Sequence, residues 1–164
     1  MLSPPWTTAE LRTLPGFPSD ERLAQGPVAV IECPERIPCN PCETVCSRRA
    51  IEVGRPITNL PRLDAAQCHG CGRCVVVCPG MAIFIVDLTF EPGRATVTIP
   101  YEFLPLPEPG DRVTALNRAG EPLGPAEVVR VQNPPAFDHT ALVTIAVPKE
   151  LALEARHLRA EGSG

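Results

Sequence analysis

Eight cysteines in two runs are the most chemically specific feature of this 164-residue sequence. The second run, Cys68-His69-Gly70-Cys71-Gly72-Arg73-Cys74-Val75-Val76-Val77-Cys78-Pro79, reads C-x2-C-x2-C-x3-C-P. That is a spacing by which thiolates hold [4Fe–4S] clusters. Three closely spaced thiolates can cap three corners of one cubane. The fourth, a turn further on, points to a second cubane and so demands a second ligand set. The chain supplies one in Cys33, Cys39, Cys42 and Cys46, spaced C-x5-C-x2-C-x3-C. Cys39, Cys42 and Cys46 repeat Cys71, Cys74 and Cys78 at an offset of 32 residues. The residues that follow also match in type (Arg49-Ala50-Ile51-Glu52-Val53 against Met81-Ala82-Ile83-Phe84-Ile85), which indicates a duplicated unit.

Other uses of the thiols fit less well. Zinc is held by four ligands, usually as two separated pairs, which these runs are not. Disulfides belong to oxidising compartments. Met1-Leu2-Ser3-Pro4-Pro5 lacks the basic and apolar regions of a secretory signal, and no apolar run approaches the ~18 residues of a membrane span. The expectation is a cytoplasmic protein without a membrane span, its cysteines reduced. His69 neighbours a ligand, but eight cysteines already fill eight ligand positions, so a surface or supporting role is expected. His139 in a loop and His157 on a helix are expected to be solvated. No Ser/His/Asp set, phosphate-binding glycine loop or acid/base carboxylate pair stands out, and a non-catalytic chain follows.

The elements that must position the cysteines can be read around them. Residues 1–27 form an N-terminal arm. Thr7 or Thr8 N-caps a short helix with Glu10 placed for a capping box, and Ser19 starts a second. Trp6, Leu11, Leu14, Phe17 and Leu23 are too many apolar groups for a free tail; the arm packs on its own chain or docks on a partner. Val28–Ile31 is a strand feeding the first cysteine run. Each repeat reads as strand, ligand loop, short helix and strand, with helices over 43–50 and 73–78. Gly70 and Gly72 let backbone amides approach the sulfurs. Beyond Pro79 the chain is rich in β-formers. Residues 82–90 and 95–99 form a hairpin, and strand-like runs at 112–116, 127–131 and 140–147 suggest a small antiparallel barrel or sandwich. Leu151, Ala155 and Leu158 share one face of a closing helix over 149–160. The division expected is an arm (1–27), a cluster domain (28–90) and a β-rich part with a final helix (91–164).

Composition fits a chain that relies on something besides apolar burial. Of the 164 residues 21 are proline, about 13%, and aromatics make up only 4%, against a usual ~5% for proline. Cluster binding can contribute folding free energy directly. Formal net charge is −4, and an oxidised [4Fe–4S] core with four thiolates adds about −2 per site. That sign argues against a nucleic-acid partner and suits docking to a basic patch on a redox protein.

On these motifs, residues 28–86 resemble a bacterial-type 2[4Fe–4S] ferredoxin domain. The resemblance implies an α+β, ferredoxin-like (βαβ)2 fold and low-potential one-electron transfer. It also implies crossed ligation, with one cluster on Cys33, Cys39, Cys42 and Cys78 and the other on Cys68, Cys71, Cys74 and Cys46. The sequence departs from the pattern in the five residues between Cys33 and Cys39, where two are usual, and in Ser47, where proline is usual. More loosely, Gly26 to Cys46, Tyr101-Glu102-Phe103-Leu104-Pro105-Leu106-Pro107 and Gly110-Asp111 look like small iron–sulfur subunits of FAD-dependent, amino-acid-type dehydrogenase complexes. This implies an electron-transfer subunit of a hetero-oligomeric oxidoreductase that accepts electrons from a FAD-containing subunit. A free-standing ferredoxin and an Fe–S redox sensor are the alternatives.

Overall fold

The computed structural model describes residues 5–161. In chain order the elements are α1 (Thr8–Leu11), α2 (Asp20–Leu23), β1 (Val28–Ile31), α3 (Pro41–Val45), β2 (Ile51–Glu52), β3 (Arg62–Leu63), α4 (Arg73–Val77), β4 (Ile83–Glu91), β5 (Arg94–Tyr101), β6 (Arg112–Leu116), β7 (Pro122–Gln132), β8 (Ala141–Pro148) and β9 (His157–Ala160), with 3-10 turns at Pro135–Phe137 and Lys149–Leu151. Seven strands form one antiparallel sheet in the order β1-β4-β5-β8-β7-β6-β9, and β2 pairs with β3 apart from it.

Period-two alternation divides the strands between two cores. Val28 and Val30 of β1, Phe84 and Val86 of β4, and Val143, Ile145 and Val147 of β8 enter the larger core, with residues of β5–β7 and Leu158 of β9. Their alternates, Ala29, Ile31, Ile83, Ile85 and Leu142, enter a smaller core with Ile51, Cys74 and Val75. The cysteine-bearing segments therefore lie on the opposite face of β1, β4 and β8. This is why Ala141–Val147 is buried without a break: a strand covered on both faces reads as a continuous apolar run.

These strands overturn the ferredoxin-like (βαβ)2 fold, and with it the small separate barrel. β1 and β4 are continuous with β5–β9 in one large sheet, and α3 and α4 are five residues each. Each helix is confined between ligands; Cys46 and Cys78, which end them, are extended (ψ 103° and 111°). The closing helix is overturned too. Leu151, Ala155 and Leu158 do fall at helical spacing, but only a 3-10 turn forms before the chain extends into β9 against β6. There the buried Leu158 alternates with the half-buried His157 and the exposed Arg159.

The arm packs on its own chain. Thr7 makes the capping box: its hydroxyl accepts from the Glu10 N–H (3.2 Å), while the Glu10 carboxylate accepts from the Thr7 N–H (2.7 Å). The Ser19 hydroxyl caps α2 by accepting from the Arg22 N–H. Leu11 and Leu23 are buried. Between the two helices, Pro15 and Gly16 carbonyls accept from the Leu63 and Ile31 N–H groups, each at 3.1 Å. A Cβ at Gly16 would lie 2.6 Å from Ile31 Cβ, so the approach requires glycine.

The sheet coils until its outer strands meet at one end. Glu32, just past β1, accepts from Arg156 Nε, just before β9, at 2.9 Å. It also accepts from Arg118, between β6 and β7, through Nε (3.0 Å) and Nη2 (2.5 Å). Thr8 of the arm accepts from Arg118 Nη1 at 2.8 Å. A buried ion network thus joins arm and both sheet edges.

His157 is half-buried, not solvated: its ring stacks on Tyr101 (centroids 6.1 Å apart) and tilts against Phe103 (5.7 Å). Burial holds its pKa below 6.5. The folded state therefore favours the neutral ring, and the unfolded chain takes up the proton first. The stability this contributes is complete above the unfolded pKa of about 6.5 and is lost as pH falls below it. Urea midpoints measured from about pH 7.5 down to 5 should fall less in His157→Gln than in the wild type; equal slopes would refute the assignment.

Candidate metal centre

β1 delivers the chain to Cys33, and a long loop carries it to Cys39. Pro41 opens α3, which holds Cys42, and Cys46 follows its last turn. The second run has the same local build: Gly72, left-handed at φ 83°, opens α4, which holds Cys74, and Cys78 follows. The 32-residue repeat is visible in hydrogen bonds. The Arg49 and Met81 N–H groups donate to the Cys46 and Cys78 carbonyls at 3.1 and 3.2 Å. Both residues then turn left-handed at φ 53°. The Ala50 and Ala82 N–H groups in turn donate to Cys46 and Cys78 Sγ at 3.3 and 3.4 Å. A third such bond runs from the Ala29 N–H of β1 to Cys68 Sγ, 3.4 Å.

The eight thiols line two cavities. Cys33, Cys39, Cys42 and Cys78 line one. Cys46, Cys68, Cys71 and Cys74 line the other. The fourth cysteine of each run faces the cavity of the other run, the grouping that crossed ligation requires. Among the described residues no group of three or more His, Cys, Asp or Glu is placed to hold a metal ion; the thiols line the two cavities in sets of four. A polynuclear cluster with soft-ligand iron at its corners fits such a donor set. α3 packs against α4, and Cys42 of one set lies close enough to Cys74 of the other to contribute to raising its pKa.

Burial dominates the electrostatics. It pushes Cys74 up to about 12, and the neighbouring Cys68, Cys71, Cys46 and Cys42 add to the shift. Cys42 is pushed up to about 11 by burial, opposed by a hydrogen bond from the Glu43 backbone. Cys33 is raised by burial and held back by the Glu35 backbone. These thiols stay protonated until a metal displaces the proton, so loading the sites releases acid.

Sequence reading found all eight cysteines but assigned Gly70 and Gly72 a different task. The amides that reach sulfur come from Ala29, Ala50 and Ala82, with those of Glu35 and Glu43 at Cys33 and Cys42. Gly70 is left-handed (φ 74°), and a Cβ there would meet Pro27 Cβ at 2.8 Å and its carbonyl carbon at 3.0 Å. It allows the Cys68–Cys71 loop to lie against the start of β1. Two supporting residues were missed. The Glu43 carboxylate accepts from the Val53 and Gly54 N–H groups at 2.5 and 2.8 Å, which holds its own pKa low. Arg22 donates to four carbonyls: Ala65 (2.9 Å), Gly26 (3.1 Å), Pro27 (2.9 Å) and Cys68 (2.8 Å). No local signal links Arg22 to a cysteine 46 residues away. Arg22→Ala should cost about 2 kcal/mol in urea unfolding, since bonds from charged donors contribute about 1.5–3 kcal/mol each and this side chain is partly exposed. Iron should also leave the Cys46/Cys68/Cys71/Cys74 cavity faster than the other. His69 is exposed and lines this cavity as a surface residue.

Residues 33–88 match the family model of the LdpA Fe-S cluster-binding domain. This stretch contains all eight cysteines, and it supports an iron–sulfur cluster-binding domain there. No curated protein and no solved structure matches the chain. Among the described residues no helix is long and apolar enough to cross a membrane.

Proposed function

We propose that this chain is a non-catalytic electron-transfer subunit of an oxidoreductase, carrying two [4Fe–4S] clusters. One is held by Cys33, Cys39, Cys42 and Cys78, the other by Cys46, Cys68, Cys71 and Cys74. The observation that carries the reading is the pair of adjacent four-thiol cavities, each completed by a cysteine from the other run. When bound, such clusters supply one-electron transfer at potentials set by hydrogen bonding, charge and burial. The protein's part is environmental. Eight thiolates ligate. The amides of Ala29, Ala50 and Ala82 point at Cys68, Cys46 and Cys78 sulfur, where N–H donors stabilise added negative charge and raise the potential. Buried Cys74 and its apolar neighbours exclude water from one side.

The partner we propose is a FAD-dependent dehydrogenase subunit. An exposed apolar segment beside the Tyr101–Phe103–His157 stack supports a docking role: Phe103 is 59% and Leu104 85% exposed. Apolar side chains left in solvent mark contact surfaces when they cluster.

Anaerobic purification with iron and acid-labile sulfide counts, followed by EPR of the reduced protein, tests the cofactor. About eight of each and two spin-coupled centres are expected; bound zinc without sulfide overturns the reading. Co-purification of a flavoprotein from the native host tests the partner, and a chain that elutes alone overturns that part.

A further inference from the structure

The two cavities differ in the charge around them. Arg48, Arg73 and His69 line the cavity of Cys46, Cys68, Cys71 and Cys74, and no acidic residue does. The cavity of Cys33, Cys39, Cys42 and Cys78 is lined by Glu35 and by no basic residue. Of the eight thiols, Cys71 alone is exposed; the others are half-buried or, for Cys74, buried. Arg48, Arg73 and the adjacent Arg49 are all exposed, and none takes part in the ion pairs of the described residues. Arg48 gives only its Nε, to the Gln67 carbonyl at 3.1 Å.

We infer that this arginine rim around Cys71 is where electrons enter or leave the chain, and that it docks an acidic patch on a redox protein. The inference rests on the two-cluster reading above and reverses what net charge alone implies. The formal charge of −4, more negative with clusters, suggests a basic partner. Screening at physiological ionic strength has a length of about 8 Å, so a partner at contact responds to the charges nearest the exposed ligand. There, the Arg48 and Arg73 guanidiniums counter the about −2 that an oxidised cluster brings. Guanidinium is also the side chain that pairs carboxylates bidentately, so the same residues that attract an acidic surface fix its orientation over Cys71.

The test uses the full chain with its clusters reduced and two small oxidants of opposite charge, ferricyanide and hexaamminecobalt(III), in stopped flow at low salt. Arg48→Gln/Arg73→Gln should lower the ratio of anionic to cationic rate constants by about tenfold or more, since local fields alter such rates by 10–10³. Raising the salt should bring the variant's ratio and the wild type's together. The control Arg36→Gln, on the loop between Cys33 and Cys39, should leave the ratio unchanged. A ratio unaffected in the double variant, or shifted as much by Arg36→Gln, overturns the inference. Iron and sulfide counts on each protein separate the two levels: protein without reducible iron overturns the reading beneath the inference, whereas reducible iron with an unchanged ratio overturns the inference alone.

Discussion

Cys74→Ser should leave about four iron atoms per chain in place of about eight and lose the local order around Cys46 and residues 68–74. Cys74 is 7% exposed and packs with Ala29, Ile31, Ile51, Val75, Ile83, Ile85 and Leu142. A serine hydroxyl there is a poor ligand for iron and faces apolar neighbours; a buried polar group left unpaired costs about 1–3 kcal/mol by itself. The lost cluster costs far more. Structural zinc, the nearest measured parallel, supplies about 10–16 kcal/mol to small domains, and here the ligand loops carry only five-residue helices and two-residue strands of their own. Hydrogen exchange should become fast around Cys46 and across residues 62–76, while β5 and β8, paired over eight register positions, stay protected. The same series tests the crossed ligation. Cys46→Ser should give the EPR spectrum of Cys74→Ser, and Cys78→Ser that of Cys42→Ser. If Cys46→Ser instead matches Cys42→Ser, each run binds its own cluster and the cavity assignment is wrong.

The grouping of the cysteines around two cavities was legible because spacing within single loops encodes it, and the 32-residue repeat carries that spacing into matched hydrogen bonds at Ala50 and Ala82. The capping box at Thr7 and Glu10 was legible for the same reason, since partners three residues apart need no tertiary information. Strand identities were read well from alternation. Which strands share a sheet was not, because pairing is decided by long-range register. Val28–Ile31 looks like the first strand of a small repeat, yet both of its faces are buried, and it continues through β4 into β5 and β8. The segment 149–160 shows a sharper conflict. Helical spacing of Leu151, Ala155 and Leu158 competes with strand alternation from His157 onward. Pairing with β6 and the ion pair of Arg156 with Glu32 decide for the strand. Arg22 and Glu32 were invisible because both act across more than forty residues of sequence.

Glu32→Ala should destabilise the protein by about 3–5 kcal/mol, the range seen when one partner of a buried ion pair is removed. Glu32 side-chain exposure is 6%, that of Arg156 3% and that of Arg118 13%. Without the carboxylate, two guanidiniums remain between the sheet edges. Arg156 has the least recourse. It donates through Nη1 to the Ala152 and Ala155 carbonyls, its Nη2 is buried with no hydrogen-bond partner among the described residues, and its guanidinium carbon lies 4.8 Å from the centroid of the Phe84 ring. Burial already pulls its pKa below the ordinary arginine value, with Glu32 opposing. Replacing the whole pair should therefore behave differently from breaking it. Glu32→Met with Arg156→Met removes both desolvated charges and the orphaned Nη2, and apolar replacement of buried pairs is often neutral or stabilising by about 1–4 kcal/mol. Arg118 limits the gain, because it would keep its bonds to Thr8 and the Leu153 carbonyl while losing Glu32. The double variant should still unfold at higher urea than Glu32→Ala; if their costs are equal, the pair is not what holds the edges. The functional consequence is local. The Glu32 N–H donates to the Ala82 carbonyl at 2.8 Å, tying the residue before Cys33 to the residue whose amide reaches Cys78 Sγ. Loosening Glu32 therefore loosens two thiols of one cavity together, and Glu32→Ala should lose iron first from the Cys33/Cys39/Cys42/Cys78 site. Loss from the other site first would mean that the ion network serves the sheet alone.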